Sequence, residues 1–223
     1  MKKYLARLSL IVFLASCSNA PETETGEIRT LQLLNKALQS SNEPKQFIDA
    51  RNLINREKID AANIPVLFVE LASGQNGTLT PYPGKGVGQT WLGADGATIT
   101  LERGILKASR GLGDDLMGST SYMPTWSKIN KKAKNYNREF NHIAGNNKIF
   151  KQVFICDIEK TSSQELIKIW DVNFEVAKYE ERCFNSNLTF KNVYHIDKQE
   201  IIRRSSQFHS KTLGYIKMER LDR

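Results

Sequence analysis

The sequence predicts a mainly β protein, an antiparallel barrel-like or sandwich domain with two N-terminal helices. From Ile64 onward, apolar and polar residues alternate with a period of two, which is the pattern of half-buried strands. The turn signals Asn76-Gly77, Asp95-Gly96 and Arg103-Gly104 follow one another at short intervals, as tight hairpins require. Upstream of Ile64 the apolar residues recur at helical spacing instead, so the helices precede the sheet.

Two amphipathic segments account for the predicted helices. Ile28, Leu31, Leu34 and Leu38 fall on one face of the first, and a second pattern runs from Phe47 to Ala62. Each helix therefore has one apolar stripe that can pack on the sheet.

The first half of the sheet is predicted to be a meander. In one of its strands Ile99 and Leu101 point one way and the neighbouring threonines the other, so one face should be buried and the other hydrated. The predicted strands of this half are Ile64 to Leu71, Thr78 to Tyr82, Val87 to Leu92, Ala97 to Glu102 and Ile105 to Arg110.

A second β-rich half follows the segment Ser119 to Asn137, which is basic, contains Pro124, and is expected to be irregular with at most a short helix. Turn residues such as Trp170-Asp171 separate the later strands. The predicted strands of this half are Arg138 to Ile143, Ile149 to Lys160, Glu165 to Ile169, Val172 to Phe184, Leu188 to Ile196, Glu200 to Ser206 and Leu213 to Met218.

The N-terminus has the pattern that a lipoprotein signal peptidase reads. Lys2, Lys3 and Arg7 form a positive region, and the apolar run Leu8 to Ala15 is too short to span a bilayer. Small residues before Cys17 leave its thiol accessible to diacylglycerol transfer, after which cleavage makes it the new N-terminus. The alternative is an ordinary secretory signal followed by a chance cysteine.

This leader sets the predicted organisation of the chain. Residues 1–16 are the signal peptide, 17–27 a polar flexible tether, and 28–223 a single β-rich periplasmic domain. The lipid on Cys17 is the expected membrane contact. Ser18, in place of the Asp that favours inner-membrane retention, predicts the periplasmic face of the outer membrane.

The charge balance is modestly basic. The formal net charge of +8 falls to +5 when the three basic residues of the leader are removed. Basic runs within residues 128–138 and 203–223 are read as solvated faces, or as contacts with anionic lipid or an acidic polysaccharide. Nucleic acid is not an expected partner in this compartment.

The two remaining cysteines are expected to form a disulfide. With Cys17 committed to lipid, Cys156 and Cys183 remain as a pair in an oxidising compartment. No histidine lies at ligand spacing from either, so no metal site is predicted.

Motifs with catalytic chemistry are weak in this chain. The segment 83–88 resembles a phosphate loop, but a strand rather than a helix follows it, and no Ser or Thr follows Lys85. His142, His195 and His209 lie in unrelated predicted strands. We therefore predict no cofactor and no catalytic constellation.

The most distinctive residues are Thr90-Trp91, Asp95-Gly96, Gly104-Ile105-Leu106 and the segment Arg110 to Met117. Together with the leader, they resemble the YjbF/YmcC/GfcB family of capsule and exopolysaccharide-associated lipoproteins. The similarity covers most of the mature chain and continues in Tyr179-Glu180-Glu181-Arg182-Cys183, in Phe190-Lys191-Asn192-Val193-Tyr194, in Ser205-Ser206-Gln207-Phe208 and in Leu213-Gly214-Tyr215-Ile216.

The resemblance implies an outer-membrane lipoprotein of a group 4 capsule or related export system, with a mainly β, barrel-like fold. It brings no catalytic residues with it. Two positions depart from the family pattern, because His195 and Phe208 stand where Trp is usual. This departure weakens the case for sugar stacking at both positions.

Two readings apply to the segment Arg110 to Met117. In the structural reading its glycines permit a sharp turn and Arg110 pairs with Asp114 or Asp115. In the functional reading the segment forms a loop that contacts a glycan or a partner protein. The residues assigned to this candidate ligand or partner loop are Trp91, Asp95, Arg110, Asp114 and Asp115.

The function expected from these observations is accessory and non-catalytic: assisting assembly or export of a surface polysaccharide by holding an export protein or the glycan. The rival is a periplasmic glycan-modifying enzyme that uses Asp114 or Asp115 as general acid or base. A cleft lined by several carboxylates would favour the enzyme. A convex surface, or an apolar, aromatic groove, would favour the accessory role.

We predict that Cys17→Ala leaves an unlipidated, uncleaved or soluble precursor, because acyl transfer needs the thiol. Membrane fractionation after labelling with radioactive palmitate measures this. Label retained in the mutant protein would refute the assignment.

Overall fold

A computed structural model describes residues 49–84, 88–129, 131–143 and 149–223. Within them twelve antiparallel strands form one sheet, in the order β5-β4-β3-β2-β1-β12-β11-β10-β9-β8-β7-β6. The strands are β1 Leu67–Leu71, β2 Asn76–Tyr82, β3 Gln89–Gly93, β4 Thr98–Glu102, β5 Ile105–Arg110, β6 Leu116–Ser121, β7 Lys132–Ile143, β8 Ile149–Ile169, β9 Val172–Phe184, β10 Thr189–Ile196, β11 Ile202–Ser210 and β12 Gly214–Arg220.

The sheet curls into a nearly closed barrel, as the sequence predicted. Its edge strands, β5 and β6, meet along a seam where side chains supply the hydrogen bonds. The Ser119 hydroxyl donates to the Leu106 carbonyl, and Arg110 Nη1 donates to the Leu116 carbonyl at 2.8 Å. From the opposite wall, Gln207 accepts from the Leu106 N–H at 2.8 Å. Closure removes the exposed edges that would invite pairing with other chains.

Two short helices precede the sheet: α1, Ala50–Leu53, and α2, Arg56–Ala62. The Asp49 side chain caps α1 and the Asn55 side chain caps α2, each accepting a backbone N–H bond. They occupy the second predicted helical segment, while the first, from Ile28 to Leu38, lies outside the described residues. Among the described residues, no helix has the length and apolar character needed to cross a membrane.

Several predicted boundaries were wrong. The segment expected to be irregular contains the end of β6 and the start of β7, on either side of a 3-10 helix at Trp126–Lys128. Asn76 and Gly77 lie inside β2 rather than in a turn, because the chain reverses just before them, at Gly74 with φ of +87°. The Arg103-Gly104 and Trp170-Asp171 turns are confirmed, with all four residues at positive φ.

The predicted strands Ile149 to Lys160 and Glu165 to Ile169 are one strand, β8, interrupted by register shifts between Lys160 and Glu165. The irregularity reverses which face is buried: Cys156 and Ile158 point into the barrel, whereas Ile167 and Ile169 join a second apolar cluster. The members of that cluster are Ala50, Ile59, Val66, Phe68, Ile167, Ile169, Val176 and Leu221. The end of the β8–β9 hairpin thus packs with the helices.

The barrel interior holds an apolar core with a disulfide. Phe140, Phe154 and Phe190 pack edge to face, with ring centroids 4.9 to 5.9 Å apart. Cys156 and Cys183 stand directly opposite each other on β8 and β9, with Cα atoms 4.1 Å apart, and are bonded. The predicted disulfide is therefore confirmed, and it joins two strands inside the core.

A buried polar network centred on Glu181 lies beside the disulfide. The Glu181 carboxylate, fully buried, accepts hydrogen bonds from Arg138 Nη1 at 2.6 Å, Tyr136 Oη at 2.8 Å, Tyr194 Oη at 2.7 Å and Asn192 Nδ2 at 2.6 Å. Burial and the Glu181 charge raise the pKa of both tyrosines above their ordinary value, so both hydroxyls stay protonated and donate. Glu181 also raises the pKa of Arg138, against the effect of burial.

We predict that Glu181→Gln lowers the free energy of unfolding by about 3 kcal/mol, because the buried Arg138 charge loses its counter-charge. Glu180→Gln is the matched control. Its carboxylate binds Lys178 and Lys191 at the surface, so the loss should stay below about 1 kcal/mol. Urea denaturation measures both variants, and equal losses would contradict the role given to Glu181.

Candidate functional site

The residues predicted to form one loop lie at opposite ends of the barrel. Because consecutive antiparallel strands reverse direction, the β3–β4 and β5–β6 turns share one end, which we call the Asp95 end. Asp95, Arg110, Asp114 and Asp115 belong there. Trp91 instead lines a cavity at the opposite end, the Arg103 end, which carries the β4–β5 turn.

The β5–β6 turn is held by bonds to its own backbone. Arg110 donates to the Leu116 carbonyl, and Asp115 accepts from the Gly111 N–H at 3.1 Å and from the following N–H at 3.2 Å. Gly111 and Gly113 have φ of +79° and +93°, so the predicted glycine turn is correct. The expected pairing of Arg110 with an aspartate is wrong, since its guanidinium binds carbonyls.

A cleft of about 730 Å³ opens beside this turn. Its wall is largely aliphatic, and Asp95 is the single carboxylate among the described residues that line it. General acid and base catalysis on a glycan needs two carboxylates that face each other, which this lining does not supply. The aliphatic residues of the wall are Leu53, Ile54, Val69, Leu71, Leu79, Ile99 and Leu112.

Two buried histidines lie behind the turn, a pairing that the sequence did not indicate. The rings of His142 and His209 have centroids 5.9 Å apart, and both Nδ1 atoms are buried without a hydrogen-bond partner in the described part of the chain. His209 Nε2 lies 2.8 Å from the Ser109 hydroxyl, which accepts the Leu116 N–H. Ser109 and His209 are 1% and 0% exposed, so this pair has no access to a substrate.

The buried rings resist protonation. Burial, followed by the neighbouring His142, lowers the pKa of His209 to about 4, and burial also lowers the pKa of His142. Asp114 and Asp115 raise the pKa of His209 in opposition, but burial dominates. Both imidazoles are therefore neutral at physiological pH.

The described residues offer one cluster of three possible metal ligands: Cys156, Glu181 and Cys183. Both sulfurs are in the disulfide, and the carboxylate is in the interior network. A bonded disulfide has no thiolate to donate, so this cluster is structural.

The cavity at the Arg103 end has a volume of about 280 Å³ and a mixed lining. The Arg220 guanidinium lies over the Trp91 ring, 4.9 Å from its centroid, and is also hydrogen-bonded to Asp222. Arg103, Glu200 and other groups from the β4–β5 and β10–β11 turns complete the wall.

The two positions at which the sequence resemblance implied Trp lie in different surroundings. Phe208 is buried and stacks on Phe190, with centroids 4.4 Å apart, so it contributes to the core. His195 is half-buried on β10, with Nε2 3.7 Å from the Glu165 carboxylate of the β8–β9 hairpin. Phe208 lines neither end cavity, whereas His195 lines a third cavity, of about 250 Å³, together with Arg204 and Lys217.

The fold and sites together define a class: a small disulfide-linked antiparallel β-barrel with a cavity at each end. Residues 29–221 match the family model described as group 4 capsule polysaccharide lipoprotein gfcB, YjbF. The chain therefore belongs to that lipoprotein family, and the family predicted from the sequence is confirmed.

A solved structure has the same fold. The crystal structure of the hypothetical lipoprotein YmcC from Escherichia coli (K12) matches with a TM-score of 0.67 and 15% sequence identity, over 91% of this chain and 98% of that one. At this identity the likeness extends to the fold alone. No curated protein matches the chain.

We predict that stability falls as the pH drops from about 6.5 towards 4. The unfolded chain takes up the His209 proton near pH 6.5, whereas the folded protein resists it until about pH 4, so stability is complete above the higher value and is lost below it. The full shift corresponds to about 3 kcal/mol. Urea denaturation across this range should show a shallower slope for His209→Gln, which can still accept from Ser109. Equal slopes in both proteins would contradict the assignment.

Proposed function

We propose that this protein is a non-catalytic accessory lipoprotein in the assembly or export of a capsule or related exopolysaccharide. It would be anchored through lipid on Cys17 at the periplasmic face of the outer membrane, where it holds an export protein, the polysaccharide, or both. The observation that carries the proposal is the family match over residues 29–221.

The Asp95 end supports an accessory role over catalysis. Asp115, one of the two candidate acid or base residues, already accepts two backbone N–H bonds. Asp95 is the one carboxylate in the described lining of the adjacent cleft. Asp115 therefore stabilises the β5–β6 turn, and Asp95 lines the edge of the cleft. This arrangement suits a surface that binds a partner.

The lipid anchor and the barrel complement each other in this proposal. A polar tether of residues 17–27 would let the domain stand off the membrane, with a reach of at most about 35 Å. Attachment by several acyl chains is much stronger than the hold of a single myristoyl group. The barrel would then remain near the outer-membrane exit.

We predict that deleting the gene reduces surface polysaccharide while sugar-nucleotide and lipid-linked precursors still form, because the protein acts after those cytoplasmic steps. Complementation with Asp114→Asn combined with Asp115→Asn should restore output, since Asn has nearly the same shape as Asp and retains one of the two oxygens that accept the turn's N–H bonds. An acid or base enzyme would instead lose about two orders of magnitude in rate.

Quantified cell-surface polysaccharide and immunoblots of membrane fractions provide the measurements. A double mutant that is abundant and correctly localised yet fails to complement, together with glycan turnover by the purified wild type, would replace the accessory role by the enzyme. Wild-type polysaccharide levels in the deletion strain would reject both the accessory role and the enzymatic role.

A further inference from the structure

We propose that one wall of the barrel, near the Asp95 end, lies against the lipid interface of the membrane that carries the anchor. This wall presents five outward-pointing apolar side chains on β7, β8 and β9, which we call the wall patch: Ile143, Ile149, Val153, Ile155 and Phe184. The inference goes beyond the proposed function, because it depends on the lipid anchor and not on a role in polysaccharide export.

The wall patch is continuous across three strands. Its side chains are between 39% and 64% exposed. Ile143 is paired with Ile149 across β7 and β8, and Ile155 is paired with Phe184 across β8 and β9. Val153 is two residues from Ile155 on one strand, so the two share a face, while the alternate residues of this part of β8 belong to the core. Exposed apolar patches of this kind mark protein or membrane contacts.

The wall patch is confined to one end of the barrel. Ile143 ends β7, Ile149 begins β8 and Phe184 ends β9, and these strand ends share the Asp95 end. From residue 149 to residue 155 the patch extends about 20 Å along β8. The next outward positions on β8 and β9 are charged: Asp157, Glu159, Arg182 and Glu180. The wall therefore changes from apolar to charged along the strands, as a surface partly immersed in a lipid interface requires.

The lipid-bearing part of the chain joins the barrel at the same end. The described chain begins at Asp49, and the N–H of Ala50 donates to Asn76 Oδ1 at 2.8 Å, at the start of β2. A lipid on Cys17 makes contact between domain and bilayer an intramolecular event with a high effective concentration. A second copy or a soluble partner has no such advantage, so we assign the patch to the bilayer.

The charges beside the wall patch suit lipid headgroups. Lys151 lies among the apolar side chains, and its Nζ pairs with Glu139 at 2.8 Å. Arg182 and Lys191 are exposed at the boundary of the patch. Long cationic side chains of this kind can lie along an apolar surface and extend to lipid phosphates. Because acidic partners offset part of this charge, apolar burial would contribute more to the contact than attraction to anionic lipid.

The test uses the mature lipidated protein in vesicles of phosphatidylethanolamine and phosphatidylglycerol, with one nitroxide spin label. Cys156 and Cys183 are bonded and Cys17 carries the lipid, so an introduced cysteine is the one free thiol. Ile155→Cys probes the wall patch. Leu166→Cys is the matched control, since Leu166 is an exposed apolar residue of the same strand near the β8–β9 turn.

Electron paramagnetic resonance measures how often the label collides with oxygen, which concentrates in lipid, and with a water-soluble nickel chelate. We expect the ratio of oxygen to chelate collisions to be severalfold higher at position 155 than at position 166, and to remain so at high salt. Equal ratios would overturn the proposal, and a difference lost at high salt would overturn its apolar basis. Dipolar broadening at position 155 that disappears on dilution with unlabelled protein would assign the patch to a second copy instead.

Val153→Thr combined with Phe184→Thr should lower the ratio at position 155 to that of the control position. Threonine retains a preference for strands, and both positions are exposed, so the barrel should fold. Leu166→Thr removes an equally exposed apolar group elsewhere and should leave the ratio at position 155 unchanged. Urea denaturation verifies folding, and an unchanged ratio in the folded double variant would refute the role of the patch.

The failure of this inference differs from failure of the proposed function. Loss of polysaccharide in the deletion strain, with a water-exposed label at position 155, would reject the membrane contact and retain the accessory role. Lipid contact at position 155 with wild-type polysaccharide in the deletion strain would reject the accessory role and retain the membrane contact.

Discussion

The buried Glu181 carboxylate is the constraint on which the barrel interior depends. A charge without solvent must be paired, and its partners come from β7, two strands away, and from β10 on the other side. The four partner side chains must therefore point inward at the same level along the barrel axis. They are Arg138, Tyr136, Asn192 and Tyr194. A slip of one residue in β9 would turn Glu181 to the outside and leave Arg138 unpaired, so the network specifies strand register as well as contributing to stability.

Side chains also determine how the sheet closes. Main-chain ladders join each pair of neighbouring strands, but the β5–β6 seam relies on Ser119, Arg110 and, from the opposite wall, Gln207. Ser109, held between the Leu116 N–H and His209, belongs to the same region. The seam therefore lies beside His209, whose protonation affects stability. It also adjoins the β5–β6 turn, in which the Asp115 carboxylate accepts two backbone N–H bonds.

The two ends of the barrel consequently differ in chemistry. The Asp95 end has a broad, mainly aliphatic cleft with one carboxylate in its described lining, whereas the smaller cavity at the Arg103 end is lined by two arginines.

The sequence by itself determined the features that depend on neighbouring residues: the alternation that makes strands, the turns at Arg103-Gly104 and Trp170-Asp171, and the family. It also paired Cys156 with Cys183, because elimination left no other partner. Only the tertiary structure decided that β8 continues through its irregularity, that Trp91 and Asp95 lie at opposite ends, and that Glu181 is the interior hub. These depend on contacts such as Ser109 with His209, 100 residues apart, and local periodicity carries no information about which distant strands face each other.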